Sequence, residues 1–211
     1  IIISNKIRAG KRDPEFDLTT DSLKNCPSEL SKHLAKCIQA SLIHGYLPYF
    51  LLICAITPLV KDINGKIEDS ANYRGIAISS LFLKIWDWII IILYGHLLKL
   101  DEFQYGFQEN SSTSLCSWMA LETISYYNKR GSAVYGCLMD CTKAFDTVRH
   151  SILFKKLQNG GIPNIIIRLL VHIYTKQTAN VRWKSDCSKE FTIKNGVRQG
   201  AILSPILFCI Y

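Results

Sequence analysis

No two of the eight cysteines (26, 37, 54, 116, 137, 141, 187 and 209) form a Cys-x-x-Cys pair, and the five histidines (33, 44, 96, 150 and 172) form no ligand cluster. A zinc site therefore has no support in the sequence. The cysteine spacing is scattered, and several thiols sit in apolar runs, where free Cys behaves as a small hydrophobe. That pattern favours a reducing compartment over a disulfide framework. No signal-peptide pattern is visible, since Ile1 to Ile3 is apolar but too short. Long hydrophobic runs are missing too. The most lipid-like stretch, Trp88 to Leu98, is about half of what a spanning helix needs, and Lys84 and Asp87 stop it upstream, so a buried helix explains it better. There is no internal repeat and no low-complexity tract. Acidic residues are scarce: 17 Asp and Glu face 25 Lys and Arg, a net charge of +8.

The deficit is uneven. Residues 1–130 hold 14 basic and 13 acidic side chains, whereas residues 131–211 hold 11 and 4. The positive field thus belongs to the last third of the chain, where it suits a polyanionic partner or forms a solvated basic face. At 211 residues and 48% hydrophobic, the chain can build one large domain or two small ones around a sizeable core. It starts at Ile1 and stops inside the apolar run Ala201 to Tyr211, which is expected of a piece of a longer polypeptide.

Inside the basic third lies Val134 to His150. Val134, Leu138 and Asp140 alternate against Tyr135, Cys137 and Met139 with the period of a strand, which carries no charge until Asp140. The expectation is a strand, an acidic corner at the rim of a sheet, and a helix carrying Phe145, Val148, Ile152 and Phe154 to Leu157, capped by Asp146 or Ser151. A carboxylate at such a rim needs a positive partner, and a divalent cation is one candidate. A lone Asp at a strand end is more often a helix cap or an ion-pair partner, so the corner alone does not establish metal chemistry.

Elsewhere, residues 4–28 read as a polar linker or frayed start. Helical spacing runs from Ser28, which could cap, to Gly45. Tyr49 to Val60 reads as a buried strand or a strand after a short turn, Asp62 to Gly65 as a turn, and Asn72 to Ser80 as a strand leading into an apolar helix over 81–100. Gln104 to Gln108 is an aromatic loop. Ser111, Ser112 or Thr113 can cap a helix over 113–129 that ends at Gly131. After a break at Gly160 to Pro163, a helix spans Ile165 to Tyr174. Thr178 to Trp183 and Phe191 to Asn195 form a hairpin, Gly196 to Gly200 turns the chain, and a helix follows Leu203 with Pro205 in its first turn.

Basic residues at turns (Lys61, Arg74), a strand-end carboxylate (Asp140), an aromatic five residues on (Phe145) and a Gly-rich loop with an amide (Gln199, Gly200) are the types that nucleotidyl transfer needs. Charge builds on phosphoryl oxygens during attack, metal-binding carboxylates hold the ions that clamp them, and Lys and Arg neutralise the leaving pyrophosphate.

In order and wording, the chain resembles reverse transcriptases of non-LTR (LINE-type) retrotransposons over about residues 30–211. Four blocks carry the resemblance: Ile56-Thr-Pro-Leu-Val-Lys61 with Asn72-Tyr-Arg74-Gly-Ile-Ala-Ile-Ser79; Gln104-Tyr-Gly-Phe-Gln-Glu-Asn-Ser-Ser112-Thr113; Asp140-Cys-Thr-Lys-Ala-Phe-Asp146-Thr-Val-Arg-His150; and Gly196-Val-Arg-Gln-Gly-Ala-Ile-Leu-Ser-Pro-Ile-Leu-Phe208. Gly75 stands where the family usually has Pro, and Gln108 where it usually has Arg.

The resemblance implies an α+β fold, the fingers and part of the palm of a right-hand polymerase, with an antiparallel sheet packed against helices. It divides the chain into a linker (1–29), fingers (30–133), palm (134–164), a fingers helix and hairpin (165–196) and a palm helix (197–211). Asp140 would be catalytic and hold Mg²⁺, with Mn²⁺ as a substitute. Lys61 and Arg74 would bind the triphosphate, Phe145 would exclude a 2′-hydroxyl, and Gln199 and Gly200 would line the nucleotide pocket. Read without the family, Phe145 also suits a core and Lys61 a solvated turn. The implied activity is RNA-directed DNA synthesis from a DNA 3′-hydroxyl with dNTPs, in the cytoplasm and nucleus, without a membrane. The rest of the polyprotein would supply an endonuclease upstream and the remaining palm and thumb downstream. No Asp-Asp pair, the family's other carboxylate motif, occurs in these residues, so the 211-residue chain alone is expected not to polymerise. The alternative function is a non-catalytic nucleic-acid-binding remnant of such an element.

Overall fold

The computed structural model describes residues 6, 7, 9–16, 18–108 and 110–211. The first five residues, Arg8 and Asp17 of the expected linker and Glu109 of the second block lie outside them.

Local chemistry sets most of the element boundaries. Helix α1 (Thr20–Lys24) is capped by the Thr19 hydroxyl, which accepts from the Ser22 amide. Helix α2 (Ser28–His44) follows Pro27, which occupies the cap position expected of Ser28 and makes no side-chain bond there. It closes at Gly45 in a left-handed conformation, with Gly45 and Tyr46 amides donating to the Leu42 and Ser41 carbonyls. After a 3₁₀ turn at Tyr49–Leu51, strand β1 (Ile53–Val60) turns through Asp62 to Gly65 and pairs antiparallel with β2 (Tyr73–Ile78), Leu59 opposite Arg74. Helix α3 (Leu81–Tyr94) runs into a 3₁₀ turn at Gly95–Leu97. Helix α4 (Thr113–Asn128) is capped by Ser112, and the chain turns at Gly131. Helices α5 (His150–Asn159) and α6 (Asn164–Lys176) flank the Gly160 to Pro163 break. Strands β3 (Thr178–Trp183), β4 (Asp186–Cys187) and β5 (Phe191–Thr192) precede α7 (Ser204–Ile210), which has Pro205 in its first turn.

Helices and one mixed sheet make the fold α+β. The sheet order is β2-β1-β3-β4, with β5 also paired to β3. It is not the antiparallel sheet expected: β1 and β3 run parallel, Ile53 opposite Thr178. A parallel pair needs a long crossover, and the connection between these strands carries α3 to α6. The core lies where α3, α5, α6 and α7 meet, around Trp86, Ile90, Leu153, Leu157, Leu169, Ile173, Leu203 and Leu207. Ile166, Leu169, Leu170 and Ile173 repeat at the spacing of one helical face. The Trp88 to Leu98 run is only partly interior: Ile90 is buried, while Ile92 and Leu93 are exposed. Among the described residues, no helix is long and apolar enough to cross a membrane.

Ser80 joins the sheet to this core. Its hydroxyl accepts from the Leu83 amide at 3.3 Å and donates to the Leu51 carbonyl at 3.0 Å, and it is buried. Ser80→Ala removes the α3 cap and a bond to the half-buried Leu51 carbonyl, so it is expected to cost about 1–2 kcal/mol in urea denaturation.

Three expectations give way. Residues 134–140 form no strand: among the described residues no other strand pairs with them, and Tyr135, Leu138 and Met139 are fully exposed. A period-2 pattern becomes a strand only when a neighbour supplies the other half of the ladder. Helix α5 starts at His150 rather than near Phe145. Residues 142–147 form turns instead, and Arg149 occupies the cap without a side-chain bond, so neither Asp146 nor Ser151 caps. The described part of the N-terminal segment is docked rather than frayed. Ile7 is buried, Arg12 bridges to Thr19, and the buried Asp13 carboxylate accepts from the Leu81 amide at 2.8 Å, at the first turn of α3.

Candidate active site

The loop from Gly196 to Leu203 carries Gln199 and Gly200 and is bonded to the Phe145 turn and to β2. Its first end is laid along the turn that carries Phe145. The Gly196 amide donates to the Val148 carbonyl and the Val197 amide to the Phe145 carbonyl, each at 2.8 Å. Gly196 has φ +91, and a Cβ there would stand 2.9 Å from the Phe145 carbonyl oxygen and 3.0 Å from Asp146 Cα. Only glycine fits so close to another backbone in that conformation. The imidazole of His150, buried at the start of α5, lies with Nε2 2.8 Å from the Gly196 carbonyl oxygen.

The middle of the loop is tied to the β1–β2 hairpin. The Ala77 amide of β2 donates to the Gln199 carbonyl at 2.7 Å. Gly200 has φ +112, and a Cβ there would lie 3.1 Å from the Ala77 carbonyl oxygen. Along the loop, Val197 and Arg198 are buried, Gln199 is half-buried and Gly200 exposed, so the Gln199 side chain stands at the surface of a fixed backbone.

Arg74 lies on the same strand as Ala77 and is exposed. Lys61 follows Leu59, the partner of Arg74, by two residues, and its amide extends the ladder to the Asn72 carbonyl. Lys61 and Arg74 therefore both lie toward the tip of the β1–β2 hairpin. Lys61 Nζ donates to the Ala71 carbonyl at 2.8 Å, which anchors the hairpin tip. Phe145 is half-buried, stacked on Phe208 of α7 with centroids 5.1 Å apart and edge-on to Phe107 at 6.2 Å. The core reading of Phe145 is thus realised in part: one face packs on α7, while the residue remains partly open to solvent.

Asp140 stands apart. It is exposed on the unpaired 134–140 segment, and among the described residues it enters no ion pair. The expectation that a sheet rim holds it is corrected here. Among the described residues, no group of three His, Cys, Asp or Glu side chains could hold a metal ion. Magnesium is commonly held by one or two carboxylates together with water and substrate phosphates, so the chemistry of Asp140 suits one ligand of the ion that the resemblance implies and does not complete its site.

Two residues of the site escaped the sequence reading. In sequence Asp87, on α3, is a stop to an apolar run, and Arg198 is part of a block. They form a buried ion pair, Nη2 to Oδ1 3.3 Å. Burial pushes the Asp87 carboxyl above the usual range, opposed by Arg198 and by bonds from the Leu203 and Ile202 amides. Burial works to lower the Arg198 pKa, but Asp87, Tyr174 and Cys54 outweigh it, so the guanidinium titrates above its ordinary value and stays charged. Burial likewise raises the Cys54 thiol and the Tyr174 hydroxyl, each opposed by Arg198. The available signal was a lone acid inside the helical pattern of Leu81 to Tyr94, a position that calls for a buried cation.

One loop thus bridges the β1–β2 hairpin and the aromatic turn that carries Phe145. Residues 63–211 match the family model described as reverse transcriptase (RNA-dependent DNA polymerase), and the chain belongs to that family. Its curated relatives come from transposable elements, in keeping with the non-LTR resemblance. The "Retrovirus-related Pol polyprotein from type-1 retrotransposable element R2" of Popillia japonica is 28% identical over 173 residues, 81% of this chain and 24% of its own length. The "Retrovirus-related Pol polyprotein from type-2 retrotransposable element R2DM" of Drosophila melanogaster is 23% identical over 191 residues, 90% and 18%. The "Probable RNA-directed DNA polymerase from transposon X-element" of the same fly is 25% identical over 210 residues, 97% and 23%. The chain thus spans less than a quarter of the length of these relatives.

Proposed function

We propose that this chain is the nucleotide-binding part of an RNA-directed DNA polymerase from a non-LTR retrotransposon, adding dNTPs to a DNA 3′-hydroxyl on an RNA template. What supports the reading is the bonding of one loop both to β2, the Ala77 amide donating to the Gln199 carbonyl, and to the Phe145 turn, the Val197 amide donating to the Phe145 carbonyl. In this reading Arg74 and Lys61 neutralise the triphosphate, Lys61 by leaving its contact with the Ala71 carbonyl. Phe145, braced by Phe208, stands against the sugar, and Gln199 and Gly200 line the base and template side. Asp140 supplies the carboxylate for magnesium, the remaining metal ligands coming from parts of the polyprotein outside this chain. The thumb and an endonuclease would complete the polyprotein, acting in the cytoplasm and nucleus.

RNA-templated, DNA-primed extension by the full-length protein with dNTPs and Mg²⁺ tests the reading. Salt-dependent binding of primer–template without extension would identify the non-catalytic alternative. Phe145→Val opens the space under the sugar. It is expected to raise incorporation of ribonucleotides relative to deoxynucleotides by about tenfold or more, equivalent to ~1.4 kcal/mol of discrimination, measured as the ratio of kcat/KM values. An unchanged ratio would restrict Phe145 to a packing role.

A further inference from the structure

We propose that Asp87 and Arg198 are positioning residues for the incoming nucleotide: their buried pair fixes the loop that presents Gln199. The proposal rests on the reading of Gln199 as nucleotide-binding.

One carboxylate holds two parts of the loop at once. Asp87 Oδ1 takes the Arg198 guanidinium at 3.3 Å, while Oδ2 accepts from the Ile202 amide at 3.1 Å and the Leu203 amide at 3.4 Å. Residues on both sides of Gly200 are thereby drawn to one point on α3. The Arg198 guanidinium also lies over the Tyr174 ring at 5.5 Å, Tyr174 meets the His150 ring edge-on at 5.4 Å, and His150 holds the Gly196 carbonyl. With the Ala77 bond to the Gln199 carbonyl, the loop is held at its start, middle and end. Gln199, half-buried, lies within this frame.

The pair is poorly built for stability alone. Both side chains are almost completely buried, and Arg198 Nε and Nη1 have no hydrogen bond of ordinary geometry, although the Cys54 thiol and the Tyr174 hydroxyl lie close. Burying two charges costs several kcal/mol in desolvation, and well-packed apolar replacements are often neutral or stabilising. What an apolar pair cannot supply is acceptors for the Ile202 and Leu203 amides together with a direction for residue 198. The interaction therefore sets geometry.

The test uses the full-length protein and the double variant D87L/R198M, which removes both charges at similar volume. It is expected to unfold in one cooperative transition, its midpoint lowered by the lost acceptors for the Ile202 and Leu203 amides less what removing two buried charges regains. Hydrogen exchange at the Ile202 and Leu203 amides should accelerate about tenfold or more while the α6 amides stay protected. The KM for dNTP should rise about tenfold, with kcat and primer–template affinity within about twofold. Unchanged exchange together with unchanged KM in the folded double variant would overturn the proposal. D87N, which keeps shape and one acceptor oxygen, covers the case in which the double variant does not fold: a smaller rise in both readouts supports the proposal, and no rise in either overturns it. The exchange measurement does not depend on catalysis. A protein that fails to extend primers but shows faster loop exchange in the variant loses the polymerase reading and keeps the loop-positioning role.

Discussion

Asp140→Asn in the full-length protein is expected to lower RNA-templated primer extension by ~10³-fold or more, equivalent to ~4 kcal/mol of transition-state stabilisation. Asparagine matches aspartate in shape and keeps an oxygen acceptor, so what is lost is one negative charge. Because Asp140 is exposed and enters no ion pair among the described residues, the fold should not register the change. Stability should stay within about 0.5 kcal/mol of the unaltered protein. Affinity for primer–template, and its fall with salt, should also persist, because that affinity comes from Lys and Arg against phosphate and the substitution removes an anion. Lost extension with retained binding is the signature of a carboxylate that serves chemistry. Extension at a normal rate would remove Asp140 from the active site and leave its place in the third block without a catalytic meaning.

Gly196→Ala is expected to cost about 3–5 kcal/mol, the sum of backbone strain at positive φ and overlap with neighbouring backbone. The overlap is specific. The new methyl would sit 2.9 Å from the Phe145 carbonyl oxygen and 3.0 Å from both Asp146 Cα and the Asp146 carbonyl oxygen, none of which is a flexible side-chain end. Relief requires the loop to move off the Phe145 turn, breaking the Gly196 and Val197 amide bonds. Urea denaturation should show a lower midpoint with little change in slope. Gly131→Ala is the control, since Gly131 also has positive φ, +76, but nothing lies within 4 Å of its added Cβ. That variant should lose only ~1–2 kcal/mol, the cost of left-handed backbone. Equal losses at the two positions would mean that the contact between loop and turn is softer than the geometry states.

The elements legible in the sequence were those whose signals are local. Gly45, Ser80 and Ser112 bound helices because their own backbone angles or hydroxyls complete the helix ends. Asp62 to Gly65 folds as a turn for the same reason, while Thr178 to Trp183 is a strand because β1 and β5 pair with it. The 134–140 segment carried an equally clear alternating pattern and forms no strand here, because a ladder is made by two strands and the pattern describes one. The N-terminal segment misled in the opposite sense: a polar composition concealed one buried carboxylate, Asp13, that docks it on α3.

The sequence by itself determined the family, through four ordered blocks, and with it the candidate residues Lys61, Arg74, Asp140, Phe145, Gln199 and Gly200. Only the tertiary structure decided how they are held. It ran β1 and β3 parallel, bound the Gln199 loop to Ala77 and to the Phe145 turn, and buried Asp87 against Arg198. The physical reason is range. Turn and cap chemistry acts over a few residues and is written in order along the chain. A buried charge needs its partner in space, and Asp87 finds its own more than a hundred residues further on.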